Sequence, residues 1–166
     1  MGSSQNCTAG CLIYSPGLHT DKTVLHHIEP PYTVFTPQFV QLLKEILTIS
    51  EVETRKAVIK VLTDFDTPSA YEVIVPVLKD ADPRVRQSAV SGLGELADRR
   101  AIPLLRKRLL KDPDAGVRTE AAFRLGKLGD RTDVSPLKKA IKADPAPTVH
   151  IWAQWALEQI EPTAVN

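Results

Sequence analysis

The chain has 166 residues, room for one domain with a sizeable core and too few for two ordinary ones. Hydrophobic residues make up 43% and charged residues 25%, a globular balance, and no apolar run reaches the ~18 residues of a membrane span, which argues against a transmembrane protein. Lys and Arg number 21 against 20 Asp and Glu, a net charge of +1, so global electrostatics makes no case for nucleic acid or anionic membrane as partner.

Residues 1–35 form the first segment, expected to be an irregular arm. Its opening lacks the basic and apolar regions of a secretory signal. The two cysteines of the chain, Cys7 and Cys11, both fall here; so close together they cannot staple a core, which fits a reducing, cytoplasmic setting. Cys7, Cys11 and His19 are donor types that zinc accepts, but Cys-x3-Cys followed by scattered histidines is not a finger spacing, so no metal or other cofactor is expected. A ligand carried on either thiol would need an activated thiolate, and no Lys or Arg flanks them to lower the pKa. The arm is expected to pack over the first unit of the next segment through Leu25, Ile28, Tyr32 and Phe35.

From residue 36 to 161 the chain repeats itself, and residues 162–166 form a short tail. Val85-Arg86, Val117-Arg118 and Val149-His150 are 32 residues apart, and the same register aligns Ala89, Ala121 and Ala153, then Leu93, Leu125 and Leu157, then Asp80, Asp112 and Asp144. Counting back 31 from Arg86 reaches Arg55, the mark of a degenerate first unit. Val85, Ala89, Leu93 and Leu96 recur at helical spacing, so each unit carries an apolar stripe on its second helix. Ile102, Leu105 and Leu109 mark a first helix, with Asp98 as its cap. The pairs Asp82-Pro83, Asp112-Pro113 and Asp144-Pro145 place turns between helices, because proline is tolerated only near a first turn. Helices are predicted over 37–48, 52–64, 68–79, 83–97, 100–111, 115–128, 133–143 and 147–160, with Pro76 kinking the third. A two-helix unit cannot bury its face alone, so four such units must stack into an all-α solenoid.

The stretch 82–98, Asp-Pro-Arg-Val-Arg-Gln-Ser-Ala-Val-Ser-Gly-Leu-Gly-Glu-Leu-Ala-Asp, resembles a HEAT-like repeat of the phycobilisome-lyase type. So does its next copy, from Val117-Arg118 through Ala121 and Leu125-Gly126 to Leu128-Gly129-Asp130. The likeness covers about three quarters of the chain. It implies a fold that serves bilin lyases, hydroxylases, DNA glycosylases and plain adaptors, so function has to come from the site. The adjacent His-Glu pairs that the hydroxylases of this fold use are missing, His150 being followed by Ile151. Neither a Gly-rich phosphate loop nor a Gly-x-Ser-x-Gly elbow is present. No catalytic residue is therefore assigned; the resemblance leaves a bilin lyase component as the one enzymatic alternative.

Arg86 and Arg118 repeat as a basic ladder. Their expected role is structural, each bonding a turn aspartate of its own or a neighbouring unit, such as Asp80, Asp82, Asp112 or Asp114; His150 replaces them in the last unit, where no following unit needs holding. The informative column is Lys60, Ser91, Phe123 and Trp155, on the side of the second helices that in this fold lines the concave surface. With helices ~10 Å apart, Phe123 and Trp155 are expected to form an aromatic strip, flanked by Arg124 and Lys127, with Trp152 nearby. Such side chains dominate interface energetics; the alternative for both tryptophans is that they cover the open end of the last repeat. Residues 81–140 hold fourteen Lys and Arg against eight Asp and Glu, and Arg99, Arg100, Arg106, Lys107, Arg108 and Lys111 cluster on a first helix. A solvated face explains such a run, and a phosphate-binding surface is the sharper alternative.

The sequence thus predicts a cytoplasmic, non-catalytic adaptor that binds another protein through Phe123, Trp155, Arg124, Lys127 and Trp152. The alternatives are a phycobilisome-related chaperone holding a linear tetrapyrrole in the same groove, and nucleic-acid binding through 99–111.

Overall fold

The computed structural model describes residues 36–49, 51–64 and 69–161. Eight α-helices appear among them: α1 (Pro37–Ile49), α2 (Val52–Asp64), α3 (Ala70–Val77), α4 (Pro83–Glu95), α5 (Ile102–Lys111), α6 (Ala115–Leu128), α7 (Val134–Ala143) and α8 (Pro147–Ile160). Single 3-10 turns, Arg99–Ala101 and Arg131–Asp133, lead into α5 and α7. The arm predicted over 1–35, with Cys7, Cys11 and His19, and the tail at 162–166 lie outside the described residues.

Helices pair within each unit, and α2, α4, α6 and α8 pack on one another in succession as one layer, with the first helices behind them. The described residues contain no strand; the fold is an all-α solenoid. Leu62, Val85, Leu93, Val117, Leu125 and Val149 are wholly buried on the second helices, and Ile74, Leu105 and Leu137 face them from the first helices. Ala89, Ala121 and Ala153, also wholly buried, keep the shared stripe narrow enough for the helices to approach closely.

Most predicted boundaries hold within two residues. The helix expected over 68–79 is shorter, and Pro76 marks its end instead of kinking it. Pro76 has no N–H to donate back along the helix, and the chain tightens into three-residue turns: Leu78 N–H donates to the Val75 carbonyl at 3.3 Å and Lys79 N–H to the Pro76 carbonyl at 3.0 Å. The helix expected over 83–97 stops at Glu95, and Ala97 takes a left-handed φ of 52°.

The three Asp-Pro pairs split into two roles. Asp82 caps α4, its carboxylate accepting from Arg84 N–H at 2.8 Å, with Pro83 at the first helical position. Asp98 accepts from Arg100 N–H, capping the 3-10 turn ahead of α5. Asp112 and Asp144 instead close the C-terminal ends of α5 and α7, and α6 is capped by Asp114, which accepts from Val117 N–H at 3.0 Å.

Aspartates at positions 80, 112 and 144 are where the units lock. Arg55 forks onto Asp80 through two bonds of 2.8 Å. Arg86 grips Asp112 at 3.1 and 2.9 Å, and Arg118 grips Asp144 at 2.6 and 2.9 Å. Each arginine thus reaches the aspartate of the next unit. With Nη1, Arg86 and Arg118 also donate to their own turns, Arg86 to the Asp80 and Ala81 carbonyls at 3.0 Å and Arg118 to the Asp112 and Pro113 carbonyls at 2.9 and 3.0 Å. The aspartates in turn accept the N–H two residues on, from Asp82, Asp114 and Ala146. His150 keeps only the carbonyl half of this pattern, Nε2 lying 2.6 Å from the Asp144 carbonyl oxygen.

Arg86 and Asp112 are 8% and 3% exposed, so removing Arg86 leaves a buried carboxylate with only the weaker bond from Arg108 and the Asp114 N–H. Arg86→Ala is expected to cost about 3–5 kcal/mol, read as a lower urea midpoint with an unchanged slope. Acid should loosen the same joints. The Arg118 fork holds the Asp144 carboxyl below its usual range against the opposing effect of burial. Burial pushes Asp112 up, but the bonds from Arg86, Asp114 N–H and Arg108 outweigh it and leave it lowered. The Arg84 side chain draws Asp82 down to about 2. Folded-state values below the unfolded ~3.9 stabilise the fold fully above that pH and lose their effect as pH falls through the folded values. Urea midpoints should therefore drop progressively from about pH 4 towards pH 2.

Candidate partner-binding surface

The 32-residue register places Phe123 on α6 opposite Trp155 on α8, and one helical turn before Trp155 stands Trp152. Phe123 and Trp155 stack with ring centroids 5.3 Å apart and planes at 27°. Trp152 meets both edge-on, at 5.2 Å from Phe123 and 5.7 Å from Trp155. These are favourable aromatic geometries, worth about 0.5–1.5 kcal/mol per pair beyond the area they bury. Phe123 and Trp155 are half-buried, whereas Trp152 remains 38% exposed and neighbouring Ile151 65%.

Both indoles fold back over α6. The side of α8 turned away from α6 carries Gln154 and Glu158, both exposed. In the repeat register Gln154 replaces Ile59, Val90 and Ala122, all buried by the following unit, and Glu158 replaces Gly94 and Gly126. Gln154 and Glu158 thus share the outer face of α8 with the exposed Ile151, while the tryptophans join the exposed face of the second-helix layer.

Lys127 is exposed and lies over this cluster, its Nζ 5.8 Å from the Phe123 centroid and 5.6 Å from that of Trp155. Among the described residues it has no carboxylate partner. Arg124, expected to flank the aromatics as a ligand contact, is instead engaged inside the solenoid with its side chain only 15% exposed. Nε donates to Glu120 at 2.7 Å, and Nη2 donates to Ser91 Oγ at 2.6 Å and to Glu95 at 2.9 Å. Its guanidinium also lies 5.1 Å from the Phe123 centroid, so it braces the ring from the α4 side. Towards α2 and α4 the column turns polar: Lys60 pairs with Asp64, and a groove of about 380 Å³ between those helices is lined by Lys56, Lys60, Ser88 and Ser91 among others.

Sequence reasoning passed over Gly94 and Gly126, which make this geometry possible. A Cβ at Gly94 would stand 2.3 Å from Arg124 Cδ, and one at Gly126 would stand 2.6 Å from Trp155 Cζ3 and 2.8 Å from Ala156 Cα. Their shared register and their place inside helices were the available signal, since a helical glycine costs ~1 kcal/mol against alanine unless close approach requires it.

The basic cluster proves to be mostly paired. Arg99 bonds Asp130 at 2.9 Å; Arg100 bonds Asp98 and Glu72 and lies 4.1 Å from the Tyr71 centroid. Arg106 holds the wholly buried Asp133, and Arg108 reaches Asp112 at 3.2 Å. Lys107 and Lys111 alone of the six have no acidic partner among the described residues. Within the same residues no group of three or more His, Cys, Asp or Glu could hold a metal ion, and no helix is long and apolar enough to cross a membrane.

Gly126→Ala should press the new methyl against the α8 backbone. A loss of about 1–3 kcal/mol is expected, together with a red-shifted tryptophan emission as Trp155 leaves its seat, read by fluorescence and urea titration.

A protein-family model for HEAT repeats matches residues 72–158, just over half of the chain. Among curated proteins none matches. One chain of the complex of CpcE and CpcF of phycocyanin lyase from Nostoc sp. PCC7120 superposes with a TM-score of 0.61 at 24% identity. The match covers 80% of this chain but only 57% of that one, so this chain spans less than two thirds of its structural neighbour. An engineered protein is also similar, with a TM-score of 0.49, 24% identity, and coverage of 74% and 62% of the two chains. The family match falls on the units whose arginine forks and apolar stripes repeat most regularly, and the chain belongs to the HEAT-repeat family.

Proposed function

We propose that this protein is a non-catalytic adaptor that binds a segment of another protein across the exposed face of α6 and α8. The observation that carries the reading is the Phe123–Trp152–Trp155 cluster, three large rings held in fixed mutual geometry on the surface beside an exposed Lys127. Aromatic anchors of this kind concentrate binding energy in protein interfaces. The rings are already ordered by one another and by the bracing Arg124, so little conformational freedom is lost on this side when a partner docks. Of the residues expected at the site, Phe123, Trp152, Trp155 and Lys127 would face the partner, and Arg124 would act from beneath as a positioning residue. The structural neighbour, a chain from a complex of two proteins, supports a protein partner at the level of fold.

The same neighbour belongs to a phycocyanin lyase, which supports a second reading in which a linear tetrapyrrole lies across the rings and Lys127 meets its propionates. A bilin that binds there would shift and sharpen its visible absorption on mixing with micromolar protein; an unchanged spectrum removes this reading.

The adaptor reading is tested by affinity capture from source-cell lysate with the intact protein and with Trp155→Ala, both shown folded by circular dichroism, followed by calorimetry on the purified partner. Loss of the aromatic anchor should weaken that partner by about 2 kcal/mol, roughly 30-fold. Equal affinity for the two proteins would place the binding surface elsewhere.

A further inference from the structure

On the opposite layer of the solenoid, α5 and α7 carry a face that no part of the adaptor reading uses. Neither helix contains an acidic residue, and together they hold Arg106, Lys107, Arg108, Lys111, Lys138, Lys139 and Lys142. The two arginines are consumed by Asp133 and Asp112. The five lysines are all exposed, and none has a carboxylate partner among the described residues. Lys107 and Lys139 share a repeat position, while Lys111 and Lys139 line one groove of about 270 Å³ between the two helices. The carboxylates that reach this groove are Asp112 and Asp144. They are neutralised from beneath, by Arg86 and Arg108 in one case and by Arg118 in the other. The surface therefore presents unopposed positive charge on adjacent helices, in a protein whose net charge is +1.

We infer that this α5–α7 face docks the phosphate backbone of a double-stranded nucleic acid, without reading its sequence. Charge complementarity selects a polyanion, and the composition of the face selects the kind. Protein interfaces centre on aromatic or arginine anchors and are depleted in lysine. Here the arginines are tied down, neither helix has an aromatic residue, and Leu110, 36% exposed, is the one large apolar side chain of α5 and α7 on the surface. A lipid surface would be gripped by inserted aromatic or aliphatic side chains together with the charge, and the face has no set of them. Phosphates require only clustered cations, whose binding releases condensed counterions. Base edges would need bidentate arginine, asparagine or glutamine, none of which is free here, so contact is confined to the backbone. The inference is independent of the aromatic face, and both surfaces can be occupied together.

The test is fluorescence anisotropy of the full chain with a labelled mixed-sequence DNA duplex of roughly 20 base pairs. Binding is expected at about 50 mM salt and should weaken about 100-fold or more by about 200 mM, as four or more phosphate contacts require. Lys107→Gln with Lys139→Gln should weaken binding at low salt at least ~10-fold and flatten the salt slope by about two contacts. Lys56→Gln with Lys60→Gln, which removes equal charge from α2, should leave binding unchanged. Surface lysine changes of this kind keep the core intact, checked by circular dichroism. Absence of binding at low salt, a salt-independent affinity, or equal losses from the two double variants would overturn the proposal. So would capture by phosphatidylserine vesicles without binding to the duplex.

Discussion

The joint between successive units is an arginine fork on an aspartate, and the rest of the solenoid depends on it. Arg55, Arg86 and Arg118 each cross to the following unit and close on Asp80, Asp112 and Asp144. The aspartate also accepts the N–H two residues further along, so the same carboxylate sets the turn of its own unit and the distance to the preceding one. Apolar stripes alone would allow neighbouring helices to slide and rotate on one another, because hydrophobic burial has no direction. A planar fork accepted by two oxygens does have direction, and its repetition keeps the second helices in register. That register is what brings Phe123 over Trp155 and lets the rings meet.

The column through Lys60, Ser91, Phe123 and Trp155 shows how one scaffold position acquires different uses along the chain. On α2 and α4 it carries local polar interactions, Lys60 to Asp64 and Ser91 to Glu95 and Arg124. On α6 and α8 it carries stacked rings. The change is accommodated beneath by Gly94 and Gly126, which leave room for Arg124 to cross α4 and for Trp155 to lie close against α6. Core and surface are coupled here, since the aromatic face exists only because two positions under it lack a side chain.

Much of the fold was legible from local chemistry. The turn-marking pair Asp82-Pro83, the cap at Asp98 and apolar spacing at 3.6 residues act within a turn or two of the residue concerned, and each described helix lies within two residues of its expected place. Pro76 was misjudged because a proline late in a helix has two outcomes, continuation beyond a kink or a tightening into three-residue turns, and the residues after it decide between them. The arginine–aspartate pairing was readable as a type, through the shared repeat, but which aspartate each arginine selects is a tertiary matter. At the site, the stacking of Phe123 on Trp155 followed from register. The tethering of Arg124 did not, because its partners Ser91 and Glu95 lie about one repeat away and are reached only past Gly94. Arg99, Arg100 and Arg106 looked free for the same reason, their partners Asp130, Glu72 and Asp133 lying about one repeat away.

The near-identity of the inner joints has a bearing on how such a chain lengthens or shortens over evolutionary time. The upper and lower faces of the unit built from α5 and α6 use the same chemistry: Asp112 receives a fork from before, Arg118 sends one onward, and Ala122 and Gly126 offer a smooth bed for the next helix. A duplicated copy of this unit would meet matching surfaces on both sides, so an in-frame duplication of 32 residues is close to structurally neutral. The unit built from α7 and α8 has no such freedom. His150 sends no fork, and Gln154 and Glu158 would be driven into a dry contact. Growth is therefore easiest in the interior, where the forks and the small-residue beds of successive units match.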